Sequence, residues 1–149
     1  MAMPNKMKQM IGKATRPTRF EIEKGQIRRF AAAIGEENPI HNSEEAATAA
    51  GFKSIVAPPT FGAALDATAS LITELGLDSR STMHAEEEYE YFRPLVAGDV
   101  ITVVHKVTDA YDKAAPNGRL QFVVVETRAT DAKSKPVFKG RRVLVELKR

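Results

Sequence analysis

An α+β fold is predicted, because the hydrophobic period changes once along the chain. Up to about Leu77 the apolar residues recur at helical spacing, and from Met83 onward they alternate. A second observation is the turn chemistry of the later half. Gly98-Asp99, Pro116-Asn117-Gly118 and Lys135-Pro136 divide it into long strands with short connections, which implies an antiparallel sheet. Helices first and strands afterwards give α+β, and burying both element types calls for a curved sheet wrapped around a long central helix.

Residues 1–19 have no clear period and contain Pro4 and Pro17, so they read as an N-terminal arm. The first helix is expected over Glu21 to Ile34, since Ile27, Phe30, Ala31 and Ile34 share one face, with Gly35 as its left-handed cap. Pro39 keeps Asn38 out of helical backbone. Asn42 or Ser43 then caps a short helix filled by Ala46 to Ala50, with Glu44 and Glu45 at its positive end and Gly51 after it. Pro58-Pro59 forces an extended entrance to the central helix, Phe61 to Leu75. Its only charges are Asp66 and Glu74, so it is expected to be buried on most sides, with a Schellman stop at Gly76-Leu77. Strands follow at Met83 to Tyr91, Val100 to Val107, Leu120 to Thr130 and Val137 to Leu147. The run Glu86-Glu87-Glu88 reads as a solvated acidic face.

The 149 residues suit one domain, 1–149, with 43% hydrophobic and 28% charged residues. There is no apolar run of membrane-spanning length and no secretory leader pattern, so a cytoplasmic location is expected. The absence of cysteine excludes disulfides and thiol catalysis. A net charge of +3, with basic residues dispersed and no tryptophan, argues against nucleic-acid binding and is compatible with phosphorylated ligands. His41, His84 and His105 have no metal-ligand spacing, so no metal is expected.

Chemistry concentrates in residues 35–62. A carboxylate and an imidazole five residues apart diverge on a regular helix, whereas a Gly-terminated helix and an Asn-Pro turn let Glu36 and His41 converge. Histidine exchanges protons near neutrality, and a carboxylate can orient it or hold a water. On spacing alone, Asn38 and His41 serve the turn and Glu36 and Glu37 are solvated.

Gly35-Glu36-Glu37-Asn38-Pro39-Ile40-His41, the following Glu-Glu-Ala-Ala stretch, Val56-Ala57-Pro58-Pro59-Thr60-Phe61 and Tyr91-Phe92-Arg93-Pro94-Leu95-Val96-Ala97-Gly98-Asp99 carry a resemblance. Together they resemble the MaoC-like, (R)-specific enoyl-thioester hydratase/dehydratase family, and within it the N-terminal-type, FAS1-like dehydratase domain. The resemblance implies a hot-dog fold and a hydro-lyase of fatty-acid metabolism acting on acyl-CoA or acyl-carrier-protein thioesters. It implies no cofactor beyond the coenzyme A or carrier protein of the substrate, and a homodimer or a heterodimer with a catalytic MaoC-like subunit. His41 and Asn38 match the family's motif; the resemblance implies His41 and Glu36 as the catalytic pair, with Asn38, Thr60, Phe61 and Gly62 binding substrate and Asn38 orienting the water or the turn. Two positions depart from the family pattern. Glu36 stands where active members have aspartate, and Pro59 stands where a glycine N–H binds the thioester oxygen. The Ala-Pro-Pro-Thr-Phe form resembles non-catalytic halves, so an acyl-binding subunit serving a separate catalytic chain is the alternative.

Overall fold

A computed structural model describes residues 8–65 and 72–148. Strand β1 (Thr18–Glu21) leads to helix α1 (Lys24–Ala33), a 3₁₀ turn (Pro39–His41) and helix α2 (Glu44–Ala49). A second 3₁₀ turn (Phe61–Ala64) precedes four long strands: β2 (Thr82–Tyr91), β3 (Val100–Ala115), β4 (Gly118–Asp131) and β5 (Pro136–Lys148). All pairings are antiparallel, and the sheet order is β1-β3-β4-β5-β2. β3 and β4 are joined by Pro116-Asn117 alone, the two-residue hairpin expected there.

Two expectations change. The end of the arm is not merely an arm: Thr18–Glu21 pairs with β3, from Thr18 opposite Val103 to Glu21 opposite Val100. Four mostly exposed residues show no period of their own, so the edge of β3 makes this strand. The central helix also begins differently. Phe61–Ala64 is 3₁₀, and Leu65 leaves helical backbone at ψ 90°. The Pro59 carbonyl, which an α-helix would offer to the Ala63 N–H, instead accepts the Tyr91 hydroxyl at 2.7 Å, and Ala63 N–H turns to Thr60 O at 3.0 Å. Helical backbone is present again at 72–74 and closes with Leu77 N–H on Ile72 O at 3.0 Å, the predicted Schellman stop. The rest of the expected helix, 66–71, lies outside the described residues.

The inner sheet face is built in rows set by register. Val103, Ala129, Phe138 and Tyr91 form one row across β3, β4, β5 and β2. His105, Thr127, Gly140 and Tyr89 form the next, then Val107, Val125, Arg142 and Glu87. The first row belongs to a core cluster with Ile27, Ile55, Phe61 and Leu95. Val107 and Val125 belong to a second cluster with Leu75, Val123 and Leu144. A polar layer crosses the sheet between the two.

Within that layer Arg142 is only 4% exposed. Its Nε and Nη2 each donate to the Glu87 carboxylate at 2.8 Å, and the Tyr89 hydroxyl donates to the same carboxylate at 2.6 Å. Glu86, Glu87 and Glu88 are exposed as expected, but period 2 gives Glu87 the parity of Tyr89 and Tyr91, so its carboxylate is turned to Arg142 and Tyr89. Burial raises the Glu87 carboxyl, but the Arg142 and Tyr89 hydrogen bonds outweigh it and hold the group below the usual carboxylate range.

His105 is buried in the same layer, with Nδ1 hydrogen-bonded to Thr127 Oγ1 at 2.7 Å and Nε2 without a partner. Burial, and then the positive charge of Arg142, push its pKa down to about 4, against the opposing pull of Glu87. An unfolded histidine titrates near about 6.5. As pH falls from that value toward 4 the unfolded chain takes up a proton that the folded chain refuses, so stability drops across this window. The contribution reaches roughly 3 kcal/mol. His105→Asn keeps a hydrogen-bonding group for Thr127 and removes the titration. Urea midpoints measured against pH are expected to show a smaller decline between pH 6.5 and 4 in this variant than in wild type.

Candidate active site

The turn that carries the candidate residues is fixed by backbone chemistry. Gly35 adopts φ +69°, which lets Gly35 N–H reach Ala32 O at 3.2 Å and Glu36 N–H reach Ala31 O at 2.9 Å, closing α1. Asn38 is extended (φ −60°, ψ 121°), as the following proline requires, and Pro39 opens the 3₁₀ turn. The Asn38 side chain accepts from Ile40 N–H at 3.2 Å. From α1, Arg28 Nε donates to Asn42 O at 2.9 Å and ties the turn to that helix.

His41 ends up buried, at 5% exposure, with its Nδ1 2.6 Å from Val56 O. A carbonyl can only accept, so Nδ1 carries the proton and the lone pair of the neutral ring lies on Nε2. Nε2 makes no hydrogen bond among the described residues and is not sealed from solvent. The Ile40 carbonyl accepts from Val56 N–H at 3.0 Å, so Val56 grips the turn on both sides of the ring.

Glu36 does not join His41. Its Oε1 accepts from Asn38 N–H at 2.9 Å, and no hydrogen bond or ion pair links it to the imidazole. The same Asn-Pro turn that brings His41 round also presents an N–H two residues from the carboxylate, and Glu36 takes that hydrogen bond. Glu37 is exposed.

At the third part of the site Pro59 is exposed and has no N–H, and Phe61 N–H is already given to Pro58 O at 2.9 Å. Thr60 N–H has no partner among the described residues and is exposed. Phe61 is 2% exposed, edge-on to Phe30 at 5.5 Å. Gly62 packs so near the sheet that a Cβ there would lie 2.7 Å from Tyr89 Cε1 and 3.3 Å from Phe138 Cζ. Phe61 also borders a cavity of about 450 Å³ with Phe20, Arg29, Phe30, Ala64 and Leu65. His41, Glu36 and Asn38 do not line it.

Two supports of this site are not legible in the sequence. The Val56 carbonyl leaves no signal, since any residue supplies a carbonyl. Tyr91, whose hydroxyl fixes the Pro59 carbonyl, reads in sequence as another inward aromatic. Burial lifts its pKa to about 12, so it is a neutral donor.

Residues 9–140 match the model of the FAS1-like, dehydratase domain region. The chain belongs to that family. A protein of Saccharopolyspora erythraea known as a UPF0336 protein is 36% identical over 91% of this chain and 87% of its own length. Among solved structures, the chain is similar to the C-terminally truncated HadBC (3R-hydroxyacyl-ACP dehydratase) complex from Mycobacterium tuberculosis. That likeness has a TM-score of 0.78 at 23% identity over 91% of this chain and 96% of that one. It is also similar to the (R)-hydratase from A. caviae involved in PHA biosynthesis, with a TM-score of 0.70 at 18% identity over 93% of this chain and 96% of that one. At such identities the likeness is one of fold, and the fold is the hot-dog. Among the described residues, no helix is long and apolar enough to cross a membrane and no cluster of metal-ligating side chains occurs.

Proposed function

We propose that the chain is a hydro-lyase interconverting trans-2-enoyl and (R)-3-hydroxyacyl thioesters, carried on coenzyme A or acyl carrier protein, in the fatty-acid metabolism of the cytoplasm. One observation carries the reading: a buried imidazole whose Nδ1–H is locked on Val56 O and whose Nε2 lone pair is free. In hydration, Nε2 takes a proton from water as the water oxygen bonds to C3 of the enoyl group. Negative charge moves to the thioester oxygen, near the exposed Thr60 N–H and the start of the Phe61–Gly62 turn, and C2 then takes a proton as the His41 imidazolium gives up the one it took from water. The net change is addition of one water. It is redox-neutral, so no electron carrier is required. Asn38 shapes the turn that presents the ring.

Dimerisation belongs to the same proposal. Among the described residues β2 is an edge strand with Met83 62% exposed, and a second copy, or a catalytic MaoC-like subunit, would cover it.

A second reading has specific support. Glu36 is spent on Asn38 N–H, Pro59 has no N–H, and Phe61 N–H is already used, which suits an acyl-binding subunit whose partner supplies the catalytic pair. The deciding assay uses the purified chain and trans-2-butenoyl-CoA, with and without a catalytic hot-dog subunit. Turnover by the chain alone is expected, and turnover only after the partner is added would favour the second reading. Glu36→Gln keeps an acceptor for Asn38 N–H and loses the charge. A large loss of turnover in this variant is expected if Glu36 carries a proton in catalysis, and unchanged turnover would reduce it to a turn residue.

A further inference from the structure

The Val56 carbonyl that sets the His41 ring is itself held from behind. Val56 pairs with Val96 in an isolated antiparallel bridge. The bonds Ala57 N–H to Leu95 O at 2.8 Å and Ala97 N–H to Ile55 O at 2.9 Å flank that bridge. Val96 lies in the turn between β2 and β3, outside the long ladders of the sheet, so beyond these backbone bonds its place rests on the side chain that takes its own N–H.

One carboxylate supplies it. Asp99 Oδ2 accepts from Val96 N–H at 2.9 Å and from Arg93 Nη1 at 2.8 Å, while Oδ1 accepts from Arg93 Nη2 at 3.3 Å. The backbone of Asp99 closes the turn, giving its N–H to Val96 O at 3.1 Å and taking Ile22 N–H on its carbonyl at 2.8 Å. The Asp99 side chain is 17% exposed and Arg93 35%, so the pair is partly shielded. A continuous path of hydrogen bonds and one backbone bridge thus runs from Arg93 through Asp99, Val96 and Val56 to His41 Nδ1.

We propose that Asp99 is a positioning residue for His41. Its carboxylate holds Val96, and through the Val96–Val56 bridge it holds the carbonyl that keeps the ring proton on Nδ1 and the lone pair on Nε2. This rests on the reading of His41 as the proton acceptor. The Val56 carbonyl is the ring's only hydrogen-bond partner among the described residues, and without it a neutral imidazole exchanges between its two tautomers.

The test is nitrogen-15 NMR of the three histidines in the full chain at a pH where the rings are neutral, together with steady-state kinetics on trans-2-butenoyl-CoA. Wild type is expected to show a single His41 tautomer, protonated on Nδ1. Asp99→Ala is expected to show a tautomer mixture at His41 while His105, in the polar layer of the sheet, keeps its signals. Its kcat is expected to fall at least about tenfold with KM within about twofold, the pattern of a misplaced base. Asp99→Asn, which keeps an acceptor for Val96 N–H, is expected to restore the single tautomer. It also carries the test should Asp99→Ala not fold.

An unchanged His41 spectrum in Asp99→Ala, an Asp99→Asn spectrum still mixed, or His105 signals moving as far as those of His41 would overturn the proposal. A wild-type chain without hydratase activity whose spectra nonetheless behave as expected would support the positioning and remove only the assignment of His41 as base.

Discussion

Replacing His41 with alanine is expected to lower kcat for enoyl-thioester hydration by about 10²–10⁴-fold, the usual contribution of a positioned general base. The reasoning runs through the tautomer. A base must present a lone pair, and the ring's only hydrogen bond among the described residues, to the Val56 carbonyl, spends the N–H and leaves Nε2 available. KM should change little, because the imidazole does not line the cavity beside Phe61 and Arg29. Steady-state kinetics with trans-2-butenoyl-CoA checks both. The variant should stay folded, since the turn keeps the Asn38 cap, the Ser43 N–H to Pro39 O bond at 2.8 Å and the Val56 N–H to Ile40 O bond. A circular dichroism spectrum like that of wild type would separate lost chemistry from lost structure.

The largest effect on stability is expected in the polar layer. Glu87→Leu removes the acceptor of two Arg142 hydrogen bonds and of the Tyr89 hydroxyl, in a place where Arg142 is 4% exposed. Breaking a buried pair from one side costs about 3–5 kcal/mol. Some relief comes from the partial exposure of Glu87, whose side chain is 28% accessible, so the lower end of that range is expected. The urea midpoint reads it directly. A double variant, Glu87→Leu with Arg142→Met, is expected to recover most of the loss, because a buried ion pair and an apolar pair of similar volume are nearly equal in free energy. A loss below about 1 kcal/mol in the single variant would place the pair with ordinary surface bridges.

The strands were legible because alternation is a local signal. From Met83 to Leu147 every predicted strand is present, extended by a few residues or, in β3, by a second half that continues to Ala115. The Gly35 cap and the Gly76-Leu77 stop were legible for the same reason, since one residue type meets one backbone need. What escaped depends on partners distant in sequence. Thr18–Glu21 becomes a strand only against β3, and the 3₁₀ start at Phe61 depends on a tyrosine hydroxyl 32 residues from Pro59. Glu87 reads as one of three solvated acids, and its ion pair depends on Arg142 standing opposite it on β5.

The candidate site divides the same way. Residue types placed Glu36, Asn38 and His41 in one turn, but which groups meet there is decided by competition for hydrogen bonds. Asn38 N–H won the Glu36 carboxylate and Val56 O won His41 Nδ1. Backbone partners of this kind leave no mark in a sequence.

Chiral analysis of the product formed when the purified chain alone meets trans-2-butenoyl-CoA tests the account most directly. The account predicts (R)-3-hydroxybutanoyl-CoA, made without a partner and absent when His41 is alanine. No product until a catalytic subunit is added, or release of free coenzyme A in place of the hydroxyacyl thioester, would contradict it.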